Sequence, residues 1–217
     1  MTKNMTPKLH YSPFSSNARK VRLAASMLGI PLDLVEVDIS KGAQRRAEFL
    51  AINPMGRVPV LEDGDFILTE SAAIMAYLAD SKPGNSLYPA GLRERAEVHR
   101  WLFWAANHWS PVAAALAFEN MIKRFLKLGE PEPIQVNRQE EALRGLATVL
   151  DLHLASRAWV CGTTTTIADL AIAPALAMAV PAKLPVQSFA HVQAWFTRVQ
   201  ALEAWTATEM PALPPAG

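Results

Sequence analysis

The sequence predicts a small α/β domain followed by an all-helical domain. Three observations carry this reading. Short strand-like runs alternate with helical ones only in the first third of the chain. A break rich in proline and glycine, Lys82 to Gly91, then interrupts the pattern. Every apolar run after the break has helical spacing. With 51% hydrophobic and 19% charged residues, the 217-residue chain can bury a sizeable core, as one large domain or two small ones.

The elements follow in order. Lys8 to Tyr11 is a short extended run. Ser16 to Leu28 is a helix, with Val21, Leu23, Ala24 and Leu28 as its apolar residues and Gly29 suited to its end. Leu32 to Val37 is rich in Val and Leu and reads as a second strand. Lys41 to Ile52 has weak helical spacing. Val58 to Glu62 and Phe66 to Thr69 are two strands joined at Asp63-Gly64, a strong hairpin signal. Glu70 to Asp80 is a helix, which completes the order βαβαββα over residues 1–81. Residues 82–91 read as a linker and 92–217 as the helical domain. Leu92 to Leu128 is one long helix with a kink expected at Pro111. Ile134 to Ser156 carries Leu143, Leu146, Leu150 and Leu154 on one face. Thr166 and Asp169 form a variant capping box that opens a buried helix. Ser188 to Trp205 is the last helix or pair of helices, and the Pro-rich tail from Met210 is expected to be loose.

Composition excludes several function classes. A net charge of +1 argues against nucleic acid or an anionic membrane as the main partner. The single cysteine, Cys161, allows neither an internal disulfide nor dithiol redox chemistry, and reads as a buried small residue. His10, His99, His153 and His191 have no metal-ligand spacing, so no metal is expected. No signal-like stretch follows Met1, and the most apolar segment, Ile167 to Val180, is too short to cross a bilayer. A cytoplasmic location is expected.

Three stretches carry the chemistry. In Asn53-Pro54-Met55-Gly56-Arg57-Val58-Pro59-Val60-Leu61, a proline stands inside an apolar strand although it cannot donate to the ladder. It marks either an edge strand or a cis bond that turns the Val58 main chain outward, where a peptide ligand can pair with it. Eleven residues beyond Pro59 comes Glu70-Ser71, at a strand-to-helix junction. Free helix N–H groups and the Ser71 hydroxyl suit a carboxylate, and Glu70 suits an ammonium; the plainer alternative is that Glu70 complements the helix dipole while Thr69 or Ser71 caps the helix. The third stretch runs from Tyr11 through Ser12-Pro13-Phe14-Ser15-Ser16-Asn17-Ala18-Arg19 to Val21. A serine there, next to helix N–H groups, can stabilise an anion, and Ser15, Ser16 and Asn17 are all good caps.

Together these stretches resemble the cytosolic glutathione transferases. Ser-Pro-Phe-Ser-Ser-x-x-Arg-x-Val (residues 12–21), Asn-Pro-x-Gly-Arg-Val-Pro-Val-Leu (53–61), Glu-Ser-x-Ala-Ile-x-x-Tyr-Leu (70–78) and Thr-Thr-Ile-Ala-Asp-Leu-Ala (165–171) appear in that family's order and spacing over nearly the whole chain. The resemblance implies a thioredoxin-like domain that binds glutathione and an all-α domain that contributes the electrophile pocket. It implies a cis bond at Val58-Pro59, with Val58 pairing the cysteinyl part of glutathione. Glu70 and Ser71 match the pair that holds the γ-glutamyl end. Gln44 and Arg57 fall where the glycine end is met.

The serine-rich segment is similar to the theta, delta and phi classes and points to Ser15 as the catalytic group, with Tyr11, Ser12 and Ser16 as fallbacks. No cysteine lies there; Asn17 or Ala18 stands where zeta-class isomerases carry one. The reaction implied is conjugation of glutathione to an apolar electrophile by a homodimer. Its pocket is expected between the domains, against the long helix, with Phe14, Trp104, His108 and Phe118 as candidate lining. The alternatives are another glutathione-dependent reaction (peroxide reduction, dehalogenation or isomerisation) or a non-catalytic regulatory relative.

Overall fold

A computed structural model of the chain describes residues 6–211. Backbone contacts divide it into two compact units. The first holds the chain up to Tyr88 together with Glu203–Pro211; the second holds Pro89–Leu202. The Pro-rich tail expected from Met210 onward lies, past residue 211, outside the described residues.

The first unit is built on a four-stranded mixed sheet in the order β2-β1-β3-β4. Strand β1 (Lys8–Tyr11) runs parallel to β2 (Asp33–Glu36) and antiparallel to β3 (Val60–Asp63). Strand β3 pairs antiparallel with β4 (Phe66–Thr69). The parallel pair needs a crossover, which helix α1 (Ser16–Met27) supplies. Leu9, Val60 and Leu61 are fully buried at the centre of the sheet. This is the thioredoxin-like arrangement expected from the order of elements.

Two local expectations are corrected. The third strand starts at Val60 rather than Val58 and lies inside the sheet between β1 and β4, not at its edge. Pro59 stands just ahead of the ladder, so its missing N–H costs no sheet bond. Between Lys41 and Ile52 there is no single helix. Two 3₁₀ turns (Ile39–Lys41 and Ala43–Arg45) flank Gly42 at φ 71°, and α2 (Ala47–Ile52) follows. Asp38 opens the first turn by accepting the N–H groups of Ser40 (3.1 Å) and Lys41 (3.3 Å). The left-handed glycine stops helical propagation. The hairpin forms as expected, with Asp63 paired to Phe66 across Gly64 and Asp65. Helix α3 (Ser71–Asp80) follows β4 and packs on α1.

The second unit is helical throughout. Helices α4 (Leu92–Trp104), α5 (Ser110–Ala117) and α6 (Lys123–Phe125) form one continuous run, joined by π turns at Ala105–Trp109 and Phe118–Ile122. The expected break at Pro111 is the first of these turns. Pro111 has no N–H and its ring crowds the carbonyl four residues back, so the chain widens just before it and Ser110 donates to Ala105. Helix α7 (Pro133–Leu154) buries Leu143, Ala147, Leu150 and Leu154. Helix α8 (Ile167–Ile172) is wholly buried and leads through a 3₁₀ stretch (Ala173–Met178) to α9 (Ala190–Gln200).

Asp169 organises this core. It is fully buried, and its Oδ2 accepts the Thr166 N–H (2.8 Å) and hydroxyl (3.1 Å). Its Oδ1 accepts the Val160 N–H (2.8 Å) and the Trp195 indole N–H (2.9 Å). Burial pushes this carboxyl up while the four donors oppose the shift. Cys161 is buried close by, and burial pushes its thiol up to about 12, so it stays protonated and unreactive near neutral pH.

The last helix, α10 (Glu203–Ala207), belongs to the first unit and packs on α1. No helix among the described residues is long and apolar enough to cross a membrane.

Candidate active site

Ser15 sits at the N-cap of α1 with extended backbone angles (φ −86°, ψ 113°). Its Oγ accepts the Ala18 N–H at 3.2 Å, and its carbonyl accepts the Arg19 N–H at 2.9 Å. The capping role and a role toward a ligand are compatible. Capping uses an oxygen lone pair and leaves the hydroxyl proton for another acceptor. The first turn of α1 contains no acidic residue of its own to offset the positive end of the helix. The fallback residues differ in setting. Ser12 is 3% exposed and its carbonyl accepts the Ser15 N–H at 3.0 Å. Tyr11 lies under the Arg22 guanidinium, 5.3 Å from the ring centroid. Ser16 is half-buried in the first turn of α1.

The Val58-Pro59 bond is cis. The turn leading into it is held by Asn53, 5% exposed, whose Nδ2 donates to the Arg57 carbonyl (2.7 Å) and whose Oδ1 accepts the Met55 N–H (3.1 Å). Gly56 adopts φ 61°, and a Cβ there would lie 3.0 Å from the Gln44 carbonyl oxygen. The fold thus brings the Gln44 turn against the Val58-Pro59 turn. The Gln44 side chain is half-buried and its Oε1 has no partner, whereas Arg57 is exposed. Val58 packs against the cluster of Val37, Phe49 and Val60.

Glu70 occupies the N-cap position of α3 at φ 67° and ψ 112°, and its side chain makes no capping bond. Glu70 is exposed and does not cap the helix through its side chain. Ser71 follows as the first helical residue, half-buried beside the unpaired N–H groups of the first turn. A non-glycine residue at positive φ costs about 1–3 kcal/mol, and such strain persists where surrounding structure imposes it. Glu70→Gly is accordingly expected to stabilise the fold by about 1 kcal/mol, after discounting the extra freedom glycine brings to the unfolded chain. The midpoint of urea unfolding checks this; a lower midpoint would mean that the Glu70 backbone is relaxed.

The remaining candidates lie apart in the chain. Phe14, 39% exposed, is in the loop between β1 and α1. Trp104 is half-buried and stacks on Trp109 at 5.6 Å between centroids, with Trp101 edge-on at 5.0 Å. His108 is exposed, and Phe118 is 38% exposed at the start of the second π turn. Trp101 and Trp109 themselves are core residues. No group of three or more His, Cys, Asp or Glu residues among the described residues could hold a metal ion.

Comparison with known proteins decides the family. Residues 9–86 match the model of the glutathione S-transferase N-terminal domain, and residues 110–203 match that of the C-terminal domain. Glutathione S-transferase 3 of Zea mays is 34% identical over 96% of this chain and 96% of its own. Human glutathione S-transferase theta-2B is 35% identical over 86% of this chain and 78% of its own. The crystal structure of glutathione transferase F7 from Populus trichocarpa superposes with a TM-score of 0.84 at 27% identity, covering 93% of this chain and 97% of that one.

The chain belongs to the glutathione S-transferase family.

Two features of this transferase escaped the sequence reading. Lys20 is 4% exposed on α1, where burial pushes its ammonium down to about 8 against the opposing charge of Glu70. Arg19, 2% exposed, has its guanidinium pushed down to about 10 by burial, with Glu209 opposing. Consecutive basic residues in a helix read as solvent-facing. Arg19 meets Trp205 of α10, and α3 packs on the same helix.

Proposed function

We propose that this transferase activates glutathione as its thiolate for attack on an apolar electrophile, with Ser15 as the catalytic residue. The observation that carries the proposal is the state of Ser15. Its oxygen already accepts an α1 N–H, its proton is available, and it stands at a helix terminus whose first turn has no acidic residue. A serine cannot serve as a base here without a partner. Its hydroxyl can donate to sulfur, which favours the charged thiolate. Lowering the thiol pKa by about 2 units requires about 2.7 kcal/mol. One charge-assisted hydrogen bond supplies about 1.5–3 kcal/mol, and the helix terminus up to about 2 kcal/mol. The two together suffice.

Around the thiol, the Val58 main chain pairs the cysteinyl unit. Glu70 takes the γ-glutamyl ammonium and Ser71 with the α3 N–H groups takes the carboxylate. Gln44 and Arg57 meet the glycine end. The carboxylate of Glu70, unused in capping, supports this assignment, so the Glu70→Gly variant should gain stability while losing glutathione affinity. Phe14, Trp104, His108 and Phe118 are proposed to meet the electrophile. The enzyme is proposed to act as a cytoplasmic homodimer, with glutathione and a small apolar electrophile as its partners.

Retention on immobilised glutathione with elution by free glutathione, followed by conjugation of chlorodinitrobenzene, tests the reading. Absence of retention would sink glutathione binding. Retention without conjugation of this or any other electrophile in a panel would shift the assignment to another glutathione-dependent reaction, with hydroperoxides the next substrates to try.

A further inference from the structure

The last helix among the described residues, α10, packs on α1 near the start of the chain. Arg19 lies one turn into α1 and is 2% exposed. Its Nη2 donates to the Trp205 carbonyl at 2.8 Å, across 186 residues of chain, and its guanidinium carbon sits 3.8 Å from the centroid of the Trp205 ring. The same residue's N–H donates to the Ser15 carbonyl, the first backbone bond of α1. Trp205 is 9% exposed, and the Thr208 hydroxyl, 4% exposed, closes the end of α10 by donating to the Ala204 carbonyl at 2.7 Å. Arginine is the residue for this junction. One planar group can stack on the indole and donate in its own plane at the same time, which a lysine ammonium does less well.

We infer that Arg19 and Trp205 form a clamp by which the C-terminal helix holds the start of α1, and that they are positioning residues for the Ser15 hydroxyl. The inference rests on the reading of Ser15 as the group that activates the thiol. Ser15 cannot adjust independently of α1, since its Oγ and carbonyl are both bonded to that helix. A small rotation or slide of α1 therefore moves the hydroxyl relative to sulfur, and displacements of about 1 Å at a reacting centre cost on the order of a hundredfold in rate. The clamp's effect passes through the helix.

The test is the pKa of enzyme-bound glutathione, followed by the ultraviolet absorbance of the thiolate against pH. Arg19→Met keeps the side chain's bulk and removes both contacts. Trp205→Ala removes the stacking, and Trp205→Phe restores a ring. Thermal melts establish that each variant is folded at the assay temperature. Arg19→Met and Trp205→Ala are expected to raise the thiol pKa by about 1 unit, roughly a tenfold loss of thiolate at a pH below the pKa. Turnover should fall with it, KM for glutathione should change less than turnover, and Trp205→Phe should recover most of the loss. A folded Arg19→Met variant with the wild-type thiol pKa would overturn the inference, whatever its melting temperature. Ser15→Ala, run alongside, separates the two claims. A raised pKa in Ser15→Ala with an unchanged one in both clamp variants defeats the clamp alone. An unchanged pKa in Ser15→Ala defeats the Ser15 reading and the clamp's role with it.

Discussion

Ser15→Ala is expected to raise the pKa of the bound glutathione thiol by about 1–2 units and to lower turnover near neutral pH by about ten- to a hundredfold. The sign follows from which form is stabilised. In the proposed mechanism the Ser15 hydroxyl donates to the thiolate, so its loss disfavours the charged form and moves the titration to higher pH. The rate should recover as pH rises through the new pKa, because the thiolate then forms without help. Glutathione affinity should change much less, since the contacts proposed for its γ-glutamyl and glycine ends do not involve Ser15.

Ser15 also caps α1, and removing a serine cap costs about 1 kcal/mol of stability. Ser15→Gly distinguishes the two roles. Glycine at an N-cap costs only a few tenths of a kcal/mol yet offers no hydroxyl. Both variants should show the raised thiol pKa, and only alanine should show the full loss of stability. Steady-state rates against pH, with direct titration of the bound thiol, decide the matter. An unshifted profile in both variants would remove Ser15 from the mechanism.

The second large effect is on stability. Asp169→Ala is expected to destabilise the enzyme by about 4 kcal/mol, equivalent to about 10 °C or more in melting temperature. The carboxylate serves three buried N–H groups and one hydroxyl, from Val160, Thr166 and Trp195. Each donor left unpaired costs about 1–3 kcal/mol, reduced where neighbours relax. These donors come from the turn before α8, from its N-cap and from α9. Losing the acceptor therefore loosens three segments at once. Asp169→Asn keeps the size and one acceptor oxygen and should fall between wild type and alanine. It also serves as the measurable variant if the alanine form does not fold. A loss below about 1 kcal/mol for Asp169→Ala would mean that water replaces the carboxylate.

Features set by near neighbours in the chain were legible without a structure. Asp63-Gly64 marks the hairpin because glycine takes positive φ at no cost, and Gly64 has φ 65°. Thr166 and Asp169 declare a helix start because capping acts over three residues, and the carboxylate does reach back to the Thr166 N–H. The junction of strand and helix offered Ser15, Ser16 and Asn17 alike as caps, the resemblance singled out Ser15, and the N-cap position is where Ser15 lies. The order βαβαββα followed by helices was likewise a matter of local period and punctuation.

Tertiary structure decided what depends on partners distant in sequence. The sequence by itself determined most of the elements, the hairpin turn, the Thr166–Asp169 capping box and the motifs that mark the family. It did not determine that Glu70 leaves its carboxylate out of the cap at φ 67°, because that backbone state is imposed by the β4–α3 junction rather than preferred by glutamate. It did not place the third strand inside the sheet, since pairing order is a long-range property. Nor did it reveal that Arg19 and Lys20 are buried. The energy of a charged side chain is set by what covers it, and Arg19 meets its cover in Trp205, at the far end of the chain. Ser15 was thus readable as one of several cap candidates from its neighbours, while the packing of α3 and α10 on the helix it caps became visible only in the fold.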